Sequence, residues 1–155
     1  MHRVSKIVSG GQTGADRAAL DWAMENGIPL GGWCPKGRKA EDGAIPARYA
    51  LQETPSANYL QRTEWNVRDS DATVIFTMRE ELSGGSKRTA DFAQKHRKPW
   101  LHLSAVESVE RCVERLVDFI TQHSVRTLNV AGSRATKEPS VAEFVRAVLY
   151  LTLNK

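Results

Sequence analysis

At 155 residues, with 41% hydrophobic and 26% charged side chains, the chain has the make-up of an ordinary soluble domain. It is long enough to bury about two-thirds of its unfolded surface, and no apolar run approaches the ~20 residues that cross a bilayer. The net charge of +4 is too mild to select nucleic acid by itself, because aromatic residues do not interleave with the basic clusters Lys36/Arg38/Lys39, Lys87/Arg88 and Lys95/Arg97/Lys98 as a stacking platform requires.

The opening MHRVSKIVSGG has no signal-peptide core, so the first strand, Val4–Ser9, starts almost at once. Gly10, Gly11 and Gly14 then surround Gln12 and Thr13, and a helix follows over Asp16–Asn26 with Ala19, Leu20, Ala23 and Met24 on one face. Glycines let backbone approach a ligand, and a helix starting behind them aims free N–H groups at the same spot. The expected guest is a phosphate or another oxyanion. Gly27 closes the helix, and Ile28–Trp33 is a short strand. Residues 34–60 hold three of the six prolines and read mostly as loop, anchored by Tyr49, Leu51 and Tyr59. Arg62–Asp69 is a brief helix, Ala72–Thr77 (ATVIFT) a central strand, and Ser83–Ser86 a second glycine turn ahead of the helix Lys87–His96.

Pro99 opens the strand Trp100–Leu103 at an edge, where its missing N–H is tolerated. Glu107–His123 is an amphipathic helix, Arg126–Ala131 the last strand and Ser140–Leu153 the last helix, started by Pro139. Cys34 and Cys112 are far apart and lack a CxxC spacing, which fits a reducing compartment and a cytoplasmic location. No linker, repeat or composition break divides residues 1–155, so one domain is expected. Alternating β and α segments of these lengths predict an α/β fold, a doubly wound, mainly parallel sheet between two helical layers. Its ligand belongs beyond the carboxyl ends of the strands. Three of those ends carry glycines: Gly10–Gly14, Gly84–Gly85 and Gly132.

The segments SGGQTGADRAALDWA (9–23), GGWCPKGRKAEDGAIP (31–46), RTEWNVRDSDATVIF (62–76) and LNVAGSR (128–134) closely resemble the molybdenum-carrier family. That family is a circularly permuted, YpsA-like branch of the SLOG superfamily of Rossmann-like domains. The resemblance covers residues 7–141. It implies molybdenum-cofactor handling, or more widely the binding of nucleotide-derived small molecules, and a homo-oligomer. Superfamily relatives include phosphoribohydrolases and a single-stranded-DNA-binding protein, so the fold alone decides no function. Permutation implies that the N-terminal strand pairs with the C-terminal one and that the chain ends lie close together at the surface.

Each candidate residue has two readings. Thr13 donates to a phosphate oxygen or caps the helix. Asp16, in the first helical turn, contacts a ribose hydroxyl or base, or serves the helix dipole alone. Arg38 can clamp a phosphate bidentately. Glu41 and Asp42 are acid/base, hydroxyl-accepting or magnesium-binding candidates, or parts of a solvated turn. Arg62, Thr63 and Asn66 share one helix face. Asp69 and Asp71 read as turn and cap residues. Gly84, Gly85 and Thr89 resemble the superfamily's phosphate-binding PGGxGTxxE loop, but the spacing is stretched and Phe92 stands where the catalytic glutamate is expected. Asp91 substitutes for it only with a shift of register. Gly132, Ser133 and Arg134 complete the set, with Arg134 a phosphate clamp or a surface ion pair. Cys34 is a soft ligand for molybdenum or a packed small hydrophobe. The four scattered histidines suggest no zinc site. The expected function is therefore binding of a phosphorylated, nucleotide-type small molecule, a molybdenum cofactor being one version. A nucleotide-processing enzyme and single-stranded nucleic-acid binding are the alternatives.

Overall fold

The computed structural model describes residues 3–153. Five parallel strands form one sheet in the order β2-β1-β9-β7-β8: Leu30–Gly31, Lys6–Val8, Thr127–Gly132, Ala72–Thr77 and Trp100–Ser104. The last strand, β9, lies between β1 and β7, pairing Ile7 with Leu128 and Val74 with Val130. The expected pairing of first and last strands is therefore present; the expectation about the chain ends lies outside the described residues.

Strand β7 is buried along its whole length because both faces are covered. Ala72, Val74 and Phe76 join Leu128, Val130 and Leu103 in the main core with α1 (Ala15–Glu25), α4 (Val109–Gln122) and α5 (Val141–Leu153). Phe76 meets Phe144 of α5 edge-on, ring centroids 5.5 Å apart. The helices α2 (Tyr59–Arg68) and α3 (Gly84–Lys95) pack on each other, and α3 lies against β7 and β9. The crossover from β1 leads outward to β2, and that from β7 outward to β8. The order thus reverses around β1, β9 and β7, and the loops leaving their carboxyl ends part there to form a crevice.

Two boundaries differ from the sequence expectation in ways that matter. The second glycine turn is itself the first turn of α3, which starts at Gly84 rather than Lys87; glycine's low helix propensity argued for the later start. Trp33 and Cys34 leave the main sheet to form β3, pairing with β6 (Gln52–Glu53), while β4 (Lys39–Ala40) and β5 (Gly43–Ala44) make a short hairpin. The segment expected as loop is consequently a folded excursion over a small second core of Leu20, Cys34, Ala40, Ile45 and Tyr49. Asp69 caps the end of α2, and Asp71 accepts the N–H groups of Arg126 and Thr127, both at 2.9 Å, in line with their reading as cap residues.

Candidate functional site

The three glycine-bearing strand ends surround one cleft of about 160 Å³ at the point where the strand order reverses. Of the residues expected there, Gly10, Gln12, Asp16, Gly84, Gly85, Thr89, Gly132, Ser133 and Arg134 line it. Gly11, Thr13, Gly14, Arg38, Glu41, Asp42 and Asp91 are not among its lining residues.

The first glycine turn is committed mostly to the protein itself. The Ala15 N–H at the start of α1 donates to Ser133 O at 3.0 Å, and the Arg17 N–H to Gln12 O at 3.2 Å. Gly14 has φ +83°, and a Cβ there would run into the Ser133 carbonyl and come 2.8 Å from Ala135 N. At Gly11 a Cβ would meet Leu51 Cδ1 at 2.9 Å. Gly10 is different: a Cβ would occupy the space taken by the Arg62 guanidinium. That missing side chain lets Arg62 reach across from α2 and pair with Asp16 at 3.0 Å.

This ion pair forms part of the cleft wall, with side chains only 12% and 8% exposed. Asp16 Oδ2 also accepts the Gln12 N–H at 3.2 Å. Burial pushes the Asp16 carboxyl above its ordinary range, against the opposing pull of Arg62 and these hydrogen bonds. Arg62 Nε is buried and has no hydrogen-bond partner among the described residues. Asp16 is the only carboxylate among the lining residues, whereas Arg62, Arg88, Arg134 and Lys137 all carry positive charge.

Gly85 has no such internal duty, and at Gly84 only the positive φ of +54° calls for glycine. A Cβ on Gly85 would meet nothing within 4 Å, and one on Gly84 only the Lys137 ammonium, at 3.5 Å. Ser83, the N-cap of α3, makes no side-chain cap bond; its hydroxyl instead accepts from Lys137 Nζ at 2.7 Å. The Gly84 and Gly85 N–H groups consequently lack partners among the described residues. Ser86 is 7% exposed, lines the cleft, and its hydroxyl makes no hydrogen bond there either. This end of the cleft is a set of unspent donors beside the Lys137 ammonium.

The acidic candidates serve as ties. Glu41 accepts from Thr13 Oγ1, from Thr136 Oγ1 at 2.6 Å and from the Thr136 N–H at 3.3 Å, while its own N–H donates to Gln12 Oε1 at 2.9 Å. It thereby fastens the hairpin to the loops after β1 and β9. Burial raises the Glu41 carboxyl, but the two threonines and Arg134 outweigh it and hold it below its ordinary value. Such a group adds stability above its unfolded pKa of 4.5, and the contribution fades as pH falls through the lowered folded value. Glu41→Gln should accordingly cost about 1–2 kcal/mol near neutrality. In thermal melts the gap to the unsubstituted protein should narrow below pH 4.5; a constant gap would contradict the role.

Asp42 forms a bidentate pair with Arg17, and Asp91 faces solvent on α3 beside Lys87. Arg38 has no phosphate-clamp geometry: its guanidinium donates to the carbonyls of Ile45, Pro46 and Tyr49, closing the excursion on itself. Cys34 lies in the second core, its thiol pushed up by burial, and does not line the cleft. Among the described residues no group of three or more His, Cys, Asp or Glu could hold a metal ion, and no helix is long and apolar enough to cross a membrane.

Sequence reasoning left several lining residues out. Arg62, Thr63 and Asn66 were visible as one helix face, and the structure turns that face to the cleft. Asn129 and Lys137 carried no local signal, and Tyr59 and Arg88 stood out only as a loop anchor and part of a basic cluster; all four reach the cleft through tertiary packing.

The comparisons with known proteins agree with this architecture. The model of the circularly permutated YpsA SLOG family matches residues 7–153. A crystal structure from Syntrophus aciditrophicus SB, described as a "Putative molybdenum carrier protein", is 45% identical and superposes with a TM-score of 0.96. The alignment covers 98% of this chain and 96% of that one. No curated protein matches. The permuted strand order, the cleft at the switch point and the full-length match make this chain a member of the circularly permutated YpsA SLOG family.

Proposed function

We propose that the cleft binds a phosphorylated, nucleotide-type small molecule, with its phosphate at the start of α3. The observation that carries this reading is the donor set there: the N–H groups of Gly84 and Gly85 and the hydroxyl of buried Ser86, all without partners among the described residues, in a cleft that also holds Arg88, Arg134 and Lys137. Helix N-termini favour anions through their free N–H groups and dipole. The only lining carboxylate, Asp16, is already paired with Arg62 and leaves the anion unopposed. Tyr59 and Leu60 supply apolar surface for a base or another ring. Carriage of a molybdenum cofactor is a version of the same reading, since a phosphorylated pterin offers the same phosphate. The lining residues include no thiol to bind the metal directly, so the cofactor would be held by its organic part.

Calorimetric titration with adenosine and guanosine 5′-monophosphates, their parent nucleosides and purified pterin cofactor tests the reading. Nucleotides should bind more tightly than nucleosides. Lys137→Ala should weaken nucleotide binding about tenfold, the value of one charge-assisted contact. Equal affinity for nucleoside and nucleotide, or no binding by any probe, would remove the proposal.

Asp16 favours a second reading, nucleotide processing, because it is the one carboxylate on the wall and burial keeps it prone to hold a proton. Glu41 and Asp42 are tied up and Asp91 faces solvent, none of them lining the cleft, so this reading rests on Asp16. Free base released from the monophosphates by the native protein but not by Asp16→Asn would distinguish it from binding alone. Self-association belongs to the proposal too, through Tyr150 and Leu151 of α5, 55% and 45% exposed.

A further inference from the structure

We infer that Asn129 reads a hydroxyl of the ligand's sugar, so that the cleft selects ribose over its dideoxy counterpart. The inference rests on the nucleotide-type reading above and adds the substrate class. Strand β9 is flanked on both sides, and its interior is otherwise apolar: Leu128 and Val130 join the main core. Asn129 sits between them on the opposite face, 3% exposed. A buried amide in a central strand is unfavourable unless its hydrogen bonds are made. Asn129 makes only part of them. Its Nδ2 donates to Thr73 Oγ1 at 3.1 Å, and its Oδ1 has no partner among the described residues. The residue lines the cleft, so the unmade bond is available to a guest.

The chemistry of that guest follows from the surroundings. The cleft lining also includes an acceptor, the Asp16 carboxylate, and a donor, the Arg62 guanidinium, whose Nε is buried and unpartnered among the described residues. Arg62 is held in place by the absence of a Cβ at Gly10. A surface that mixes donors and acceptors suits a group that both donates and accepts. A hydroxyl does so, and it also satisfies an amide whichever of its two ends faces the cleft. An all-acceptor phosphate oxygen does not answer Asn129 Oδ1 or Asp16, and its complement lies instead at the start of α3. The cleft thus has an anion end and a hydroxyl end, which is the polarity of a sugar phosphate.

The test compares adenosine 5′-monophosphate with its 2′,3′-dideoxy analogue by calorimetry on the full chain. The ribonucleotide should bind at least about tenfold more tightly, because a site built to bond a hydroxyl is left with unpaired polar groups by the analogue. Asn129→Ala should bring the ratio to within about twofold, while Asn129→Asp, which keeps the oxygen, should retain a clear preference for the ribonucleotide. Equal binding of the two nucleotides by the native protein overturns the inference while leaving the phosphate reading standing. Discrimination that survives in Asn129→Ala also overturns it, by moving the recognition elsewhere. Failure of every nucleotide to bind would instead remove the underlying reading. The ratio is read within each protein, so a general loss of affinity in a variant does not obscure it.

Discussion

Gly14→Ala is expected to lower the melting temperature by roughly 10 °C. Gly14 has φ +83° and ψ −125°, a conformation that side chains resist at a cost of about 1–3 kcal/mol. The new methyl group would also collide with the Ser133 carbonyl and crowd Ala135 N, both rigid backbone. Overpacking of that kind adds about 1–3 kcal/mol. Relief requires the loop after β9 to retreat, which breaks the Ala15–Ser133 hydrogen bond and the Ala135 N–H bond to Thr13 Oγ1. Gly27→Ala separates the two causes: φ is +67° there, but nothing lies within 4 Å of the added Cβ. It should cost only about 1 kcal/mol. Similar melting temperatures for the two variants, measured by circular dichroism, would show that close backbone approach at Gly14 contributes little.

Arg62→Met should cost about 3–5 kcal/mol near neutral pH, because it strands the Asp16 carboxylate in the cleft wall. The loss should depend on pH with a definite sign. The folded-state pKa of Asp16 already lies above its ordinary 3.8 through burial, so the folded chain holds that proton more tightly than the unfolded chain does. Stability from this group is highest at low pH and declines as pH rises from 3.8 through the folded value. Removing Arg62 takes away the main opposing influence, raises the folded value further and deepens the decline. The variant should therefore lie close to the native protein at about pH 4 and fall well below it by about pH 8 in urea titrations. Adding Asp16→Asn should abolish the extra slope. A deficit independent of pH would mean that Arg62 acts by packing on Tyr59, 5.6 Å from its ring, rather than by charge.

How far the cleft could be read from sequence depends on the residue. The alternation ATVIFT and the glycines at three strand ends place the crevice, since strand period and turn chemistry are local properties. The same glycines could not be sorted by role. Gly14 answers to a carbonyl 119 positions later in the chain, and Gly10 to the Arg62 guanidinium, so both look internal only once those neighbours are in place. A Cβ on Gly84 would meet only Lys137 Nζ, at 3.5 Å, and one on Gly85 nothing within 4 Å, and that openness is equally invisible in sequence. Arg38 and Glu41 show the converse. Their charges invite a ligand, but the excursion over residues 34–60 uses one to satisfy its own carbonyls and the other to tie three loops. Asn129 gave no signal because a polar residue in a strand has no meaning until its face is known.

The sequence by itself determined the alternating α/β architecture, the permuted family and the end of the sheet where a ligand belongs. Each of these follows from periodicity or from long motifs, and both are carried by residues near one another in the chain. The tertiary structure alone decided which charges face the cleft, because hydrogen-bond partners that only the folded loops bring within reach compete for them. Arg38, Glu41 and Asp42 are taken by the protein's own groups, whereas Ser86, Asn129 and the first N–H groups of α3 are left for a guest.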